Sequence, residues 1–142
     1  MITDETPYLF HITWVTHSSR ISLRMRKYNS GLKPNPIVLS LKQEIDITGY
    51  IAQIVIEDKL KIFNYNIYAD HLHLILFCQN NKRDNIVRKL KGKSTQLYKN
   101  HNKIENEFHL WGQKYNYWAI TSDEQLASTY EYIKHNRTKH NL

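Results

Sequence analysis

Two strand-like runs, IFNYNIYA at residues 62–69 and HLHLILFC at residues 71–78, have only Asp70 between them. In the first, Phe63, Tyr65, Ile67 and Ala69 alternate onto one side. With so short a link, a tight antiparallel pairing of the two runs is the expectation. The rest of the chain has to be arranged around that hairpin. Upstream, YLFHITWVT at residues 8–16 is aromatic and β-branched and reads as a strand. HSSRISLRMRKYNSGLKPNP follows, punctuated by Gly31, Pro34 and Pro36, and reads as a loop or a basic arm. Residues 39–58 read as a helix, with Leu41, Ile45, Ile51 and Val55 near helical spacing. Residues 82–99 form a second, with Ile86, Val87, Leu90, Leu97 and Tyr98 on one stripe. FHLWGQKYNYWAI, residues 108–120, reads as a further strand. A last helix starts near Ser122, where Ser122 and Gln125 resemble a capping box and Asp123 and Glu124 suit the helix N-terminus.

The resulting order is βαββαβ with one helix appended. It predicts an α+β, ferredoxin-like sandwich with an antiparallel sheet and an added C-terminal helix. A length of 142 residues suits one domain spanning 1–142. No apolar run approaches the ~20 residues of a membrane span, and the opening MITDETPYLF has no signal-peptide pattern. The single cysteine, Cys78, makes neither an internal disulfide nor a cysteine zinc cluster. Cytoplasmic location is the expectation, with no membrane partner.

Charge narrows the partner class. The net charge is +7, and residues 82–99 hold seven basic residues against one acid. A basic helix in a chain with ten Tyr and three Trp suits nucleic acid, single strands above all, or is simply a solvated surface. Arg88, Lys89, Lys91 and Lys93 are the candidate phosphate contacts, with Arg20, Arg24 and Arg26 behind them. Gly92 either lets a backbone approach closely or serves helix packing. Trp14, Trp111, Tyr115, Tyr117 and Trp118 read as core.

His71 and His73 stand two apart on a strand and so share a face, with Leu72 on the other. Two neutral imidazoles so placed can bind one divalent ion; the alternative is a pair of partly buried histidines. Asp70 beside them can fix an imidazole tautomer. On the last helix, Leu126, Tyr130, Ile133 and Arg137 follow one stripe, which points Tyr130 toward the core. Tyr132 lies off that stripe with Asn136, its i+4 neighbour. A hydroxyl and an amide one turn apart can serve one site, the first as nucleophile and the second as metal ligand.

Four segments carry a resemblance. ADHLHLIL resembles the His–hydrophobic–His motif of HUH nucleases, and RKLKGKSTQLY resembles the LKGKS-type helix of small single-tyrosine transposases. HLWGQKYNYWAI is similar to the Trp-containing strand of that family, and YEYIKHN resembles its tyrosine helix. They occur in the family's order. The chain thus resembles the IS200/IS605-type and REP-associated tyrosine transposases. The resemblance implies a metal-dependent transposase that cleaves and rejoins single-stranded DNA with hairpin ends through a 5′-phosphotyrosine. It implies Tyr132 as nucleophile, His71, His73 and Asn136 as metal ligands, and Mg²⁺ or Mn²⁺ as the ion. It also admits a homodimer, since the family includes dimers and monomers. Asn136 falls where a glutamine is usual, and Arg137 where the REP-associated branch has proline. A non-catalytic nucleic-acid-binding module and a metal-dependent nuclease using water remain the competing readings.

Overall fold

The computed structural model describes residues 4–17 and 37–140, with side chains up to residue 135. Arg20, Arg24 and Arg26, and the side chain of Asn136, therefore lie outside the described residues. Four strands form one antiparallel sheet: β1 (Pro7–Val15), β2 (Lys61–Tyr68), β3 (His71–Gln79) and β4 (Asn116–Ile120), in the spatial order β2-β3-β1-β4. Three helices accompany them among the described residues: α1 (Leu41–Glu57), α2 (Arg83–His101) and α3 (Asp123–His140). The arrangement is the expected ferredoxin-like sandwich with its appended helix.

Alternation along β1 and β3 builds the layers. Phe10, Ile12 and Trp14 on β1 and Leu72, Leu74 and Leu76 on β3 face one way and are fully buried. There they meet Ile47, Ile51 and Ile54 of α1 and Val87, Leu90 and Tyr98 of α2. The alternate residues face α3, where Ile75, Ile120 and Ile133 make a second, smaller apolar cluster. The two central strands are thus covered on both faces, which is why LILFC is a continuous apolar run.

Ser40 caps α1 as expected of a strong N-cap: its hydroxyl accepts from Gln43 N, and the Gln43 side chain accepts from Ser40 N. At α3, Ser122 Oγ accepts from Gln125 N, and Gln125 Oε1 accepts from Thr121 N. The hairpin turn between β2 and β3 is held from three sides. The buried Glu44 carboxylate of α1 accepts from Ala69 N at 2.9 Å. Leu39 N donates to Ala69 O, and Thr16 N donates to Asp70 O. These bonds hold Ala69 in left-handed backbone at φ 55°, a conformation an alanine does not choose unaided. They also fix the point from which His71 departs.

Four expectations need correction. Leu41 and Ile45 are exposed, because the stripe α1 presents to the sheet runs through Ile47, Ile51 and Ile54. Phe63 does not share the side of Tyr65 and Ile67: a register shift between Ile62 and Asn64 turns it to solvent. The fourth strand starts at Asn116 rather than at residue 108. Leu110 and Gly112 bond instead to His17 and Val15, at the end of β1, before the chain detours and rejoins the sheet. Tyr117 and Trp118 are half-exposed rather than core, because β4 is an edge strand. Trp14 and Trp111 are core as read, with Trp111 Nε1 donating to Ser94 Oγ.

Candidate active site

His71 and His73 project from β3 on the face opposite Leu72, toward α3. His73 is 7% exposed; the His71 and His73 rings stand 5.4 Å apart and nearly perpendicular, at 87°. Asp70 Oδ1 lies 2.8 Å from His71 Nδ1, so a carboxylate holds that nitrogen. The next strand adds a residue that sequence reasoning missed. His11 of β1 sits opposite Ile75, two pairs along from Thr13 and His73, and so on the same face. Its Nε2 lies 3.0 Å from His73 Nδ1. Burial pushes the His11 imidazole below the ordinary histidine pKa, which favours the neutral ring. The available signal was alternation: in FHITW, Phe10, Ile12 and Trp14 face the core, which turns His11 to the opposite side with His73.

Helix α3 brings up the hydroxyl. Its buried Ile133 seats it on Ile75 and Ile120. Two β2 side chains then clasp its backbone: Asn64 Nδ2 donates to Tyr130 O, and Asn66 Nδ2 donates to Ile133 O at 2.7 Å. One residue from that anchor, the Tyr132 ring centre lies 5.5 Å from that of His73 and 6.1 Å from that of His11, both pairs T-shaped. Trp118 flanks His11 at 5.1 Å. Tyr130 is not packed toward the core as its stripe suggested. It is 44% exposed, because α3 rests on Leu126 and Ile133, seven residues apart, and crosses toward the β2 edge.

The donor chemistry of this face fits a divalent ion. Two imidazoles stand together, each held at Nδ1, beside the half-exposed Tyr132. Among the described residues, no three His, Cys, Asp or Glu side chains converge as a metal cage. Asn136 lies one turn beyond Tyr132 on the same helix. Cys78 offers no rival nucleophile, since burial pushes its thiol up to about 11.

The basic residues occupy the other side of the sheet. Arg88 and Lys89 are exposed on α2, whereas Lys93 is bound to Asp58 at 3.0 Å. Lys91 is half-buried, donates to Lys114 O, and has its pKa lowered by burial. Arg83 is buried over the Phe10 and Tyr117 rings. An open groove of about 710 Å³ runs between α2 and residues 108–115, lined by Arg88, Lys91, His109, Trp111 and Lys114. The candidate phosphate contacts and the histidines are therefore not one pocket.

A family model described as IS200-like transposase matches residues 8–136. Among solved structures, a REP-associated tyrosine transposase bound to a REP hairpin is similar at a TM-score of 0.60 and 14% identity, over 99% of this chain and 71% of that one. A protein from Deinococcus radiodurans R1 described as a transposase is similar at a TM-score of 0.57 and 18% identity, over 93% of this chain and 92% of that one. At these identities the two share the fold. None of the curated proteins matches this chain.

Proposed function

Since this chain belongs to the IS200-like transposase family, we propose that it cleaves and rejoins single-stranded DNA through a covalent tyrosine intermediate. The observation that carries this reading is the convergence, from α3 and from β3, of Tyr132 on His73. Residues 1–142 act as one catalytic domain, and His71, His73 and Asn136 hold Mg²⁺ or Mn²⁺. Bound there, the ion supplies Lewis-acid polarisation of a phosphate oxygen. Tyr132 Oη attacks the phosphorus, forming the Oη–P bond and releasing the 3′ oxygen. The phenol loses its proton to solvent and the departing 3′ oxygen takes one up, so the strand ends as 5′-phosphotyrosine and a free 3′ hydroxyl. A 3′ hydroxyl attacking that linkage reverses the chemistry and joins the ends without ATP. Hairpin DNA is the proposed partner, supported by the REP-associated relative, described as bound to a REP hairpin.

The test is incubation with single-stranded DNA from the gene's own flanks and Mg²⁺, read on a denaturing gel. A protein–DNA band resistant to denaturation is expected. Cleavage with no such band would point to hydrolysis by water.

Binding itself is expected to be electrostatic. Arg88 and Lys89 are exposed cations of α2, and on single strands each phosphate a protein neutralises adds about 0.7 to the log–log salt slope. Replacing both with alanine should flatten the slope by about 1.4, measured as affinity against salt. An unchanged slope would remove this stretch of α2 from the DNA surface.

A further inference from the structure

The reaction above leaves His11 without a role, yet its geometry is specific. The His11 and His73 ring centres are 5.3 Å apart with planes at 25°, and the facing nitrogens are 3.0 Å apart. That centre-to-centre distance is the N···N contact plus one ring radius at each end. The two nitrogens therefore point at each other along the line of centres, which is the arrangement of an N–H···N hydrogen bond. Two imidazoles sharing one ion would each sit about 2.1 Å from it and converge at an angle. For the same N···N contact, that would draw the ring centres closer than they are. His11 is thus a partner of His73 and not a second donor to the same ion.

The His11 ring is also held. Its backbone is paired on both sides, to Ile75 of β3 and Trp118 of β4. The Trp118 ring tilts against it at 33°, and the Tyr132 ring packs T-shaped with it. His71 offers the parallel case, with Asp70 at its Nδ1. Both histidines of the pair are therefore engaged at Nδ1, one by a carboxylate and one by an imidazole.

We propose that His11 is a positioning residue: it accepts a hydrogen bond from His73 Nδ1–H and so fixes the tautomer in which His73 Nε2 carries the lone pair. That nitrogen is then presented to a divalent cation in one orientation. The proposal rests on the reading of His71 and His73 as the metal pair. The opposite polarity, with His11 donating, would put the proton on His73 Nε2 and abolish that donor.

Two measurements test it. In metal-free wild type, nitrogen-15 NMR of the imidazoles should show His73 protonated at Nδ1, a readout that needs no variant to fold. Titration with Mn²⁺ alone, followed by electron paramagnetic resonance, then compares wild type, His71→Ala, His11→Phe and His11→Gln. His11→Phe keeps a ring but has no acceptor, and should weaken Mn²⁺ binding about 10–100-fold. His11→Gln restores an acceptor and should recover most of it. The count of directly bound imidazoles, from electron spin-echo modulation, should match wild type in both His11 variants. A count that falls by one would make His11 a ligand and overturn the proposal. So would His73 protonated at Nε2, or His11→Phe binding Mn²⁺ as tightly as wild type while His71→Ala does not. Equal binding by wild type and His71→Ala would overturn the metal reading, and this proposal with it.

Discussion

Tyr132→Phe is expected to remove strand cleavage and the covalent adduct together, by at least about 10³-fold in rate, while Tyr130→Phe remains active. The two tyrosines are equally exposed, at 44% each, so accessibility does not distinguish them. Position does. Tyr132 meets the His73 and His11 rings, whereas the backbone of Tyr130 is tied to Asn64 on the sheet edge. Removing one hydroxyl keeps the ring and its packing, so the cost in stability should be about 1 kcal/mol or less. Binding of DNA should persist. Peptide mapping of the trapped adduct is the deciding measurement: a nucleotide found on Tyr130, Tyr115 or any residue but Tyr132 would sink the assignment.

The second large effect is expected from the histidines. His71→Ala and His73→Ala should each eliminate Mg²⁺- or Mn²⁺-dependent cleavage, but they should differ in stability. His71 is partly open and faces Asp70, so its loss should leave the melting curve near that of wild type. His73 is buried against His11, and its removal strands a ring nitrogen inside the protein at a cost of about 1–3 kcal/mol. A double alanine variant with full activity and a normal melting curve would end the metal assignment.

The hairpin, the Ser122 cap of α3 and the shared face of His71 and His73 were legible because each is set by residues close in sequence. A very short link (two residues, Ala69 and Asp70, rather than Asp70 alone), a Ser–Gln pair three apart and a period of two need no knowledge of the rest of the chain. His11 was not legible in the same way. Its meaning depends on a strand pairing that joins residues 62 positions apart, and a single histidine in an apolar run does not announce its partner. Phe63 was misplaced by the register shift beside it, which no residue type in IFNYN signals. Tyr130 was misplaced because a helix lying obliquely on a sheet makes contact at wider intervals than an ideal stripe, here at Leu126 and Ile133. Trp118 and Tyr117 looked like core residues because nothing local marks β4 as the edge of the sheet.

The two apolar layers are very unequal. Beneath α1 and α2 lie most of the buried side chains, but α3 is seated chiefly through Ile133 on Ile75 and Ile120, with Leu126 beside them. Lifting α3 alone would expose this small cluster and release the Asn64 and Asn66 bonds, but it would leave the larger cluster under α1 and α2 buried. Separation of α3 with β1 and β3 still paired is therefore the expected route of partial opening. Amide protons along α3 should exchange with solvent through that opening well before those of the two central strands. The residue proposed to carry the covalent bond is thus attached to the layer expected to separate first, while the histidines stay on the layer expected to separate last.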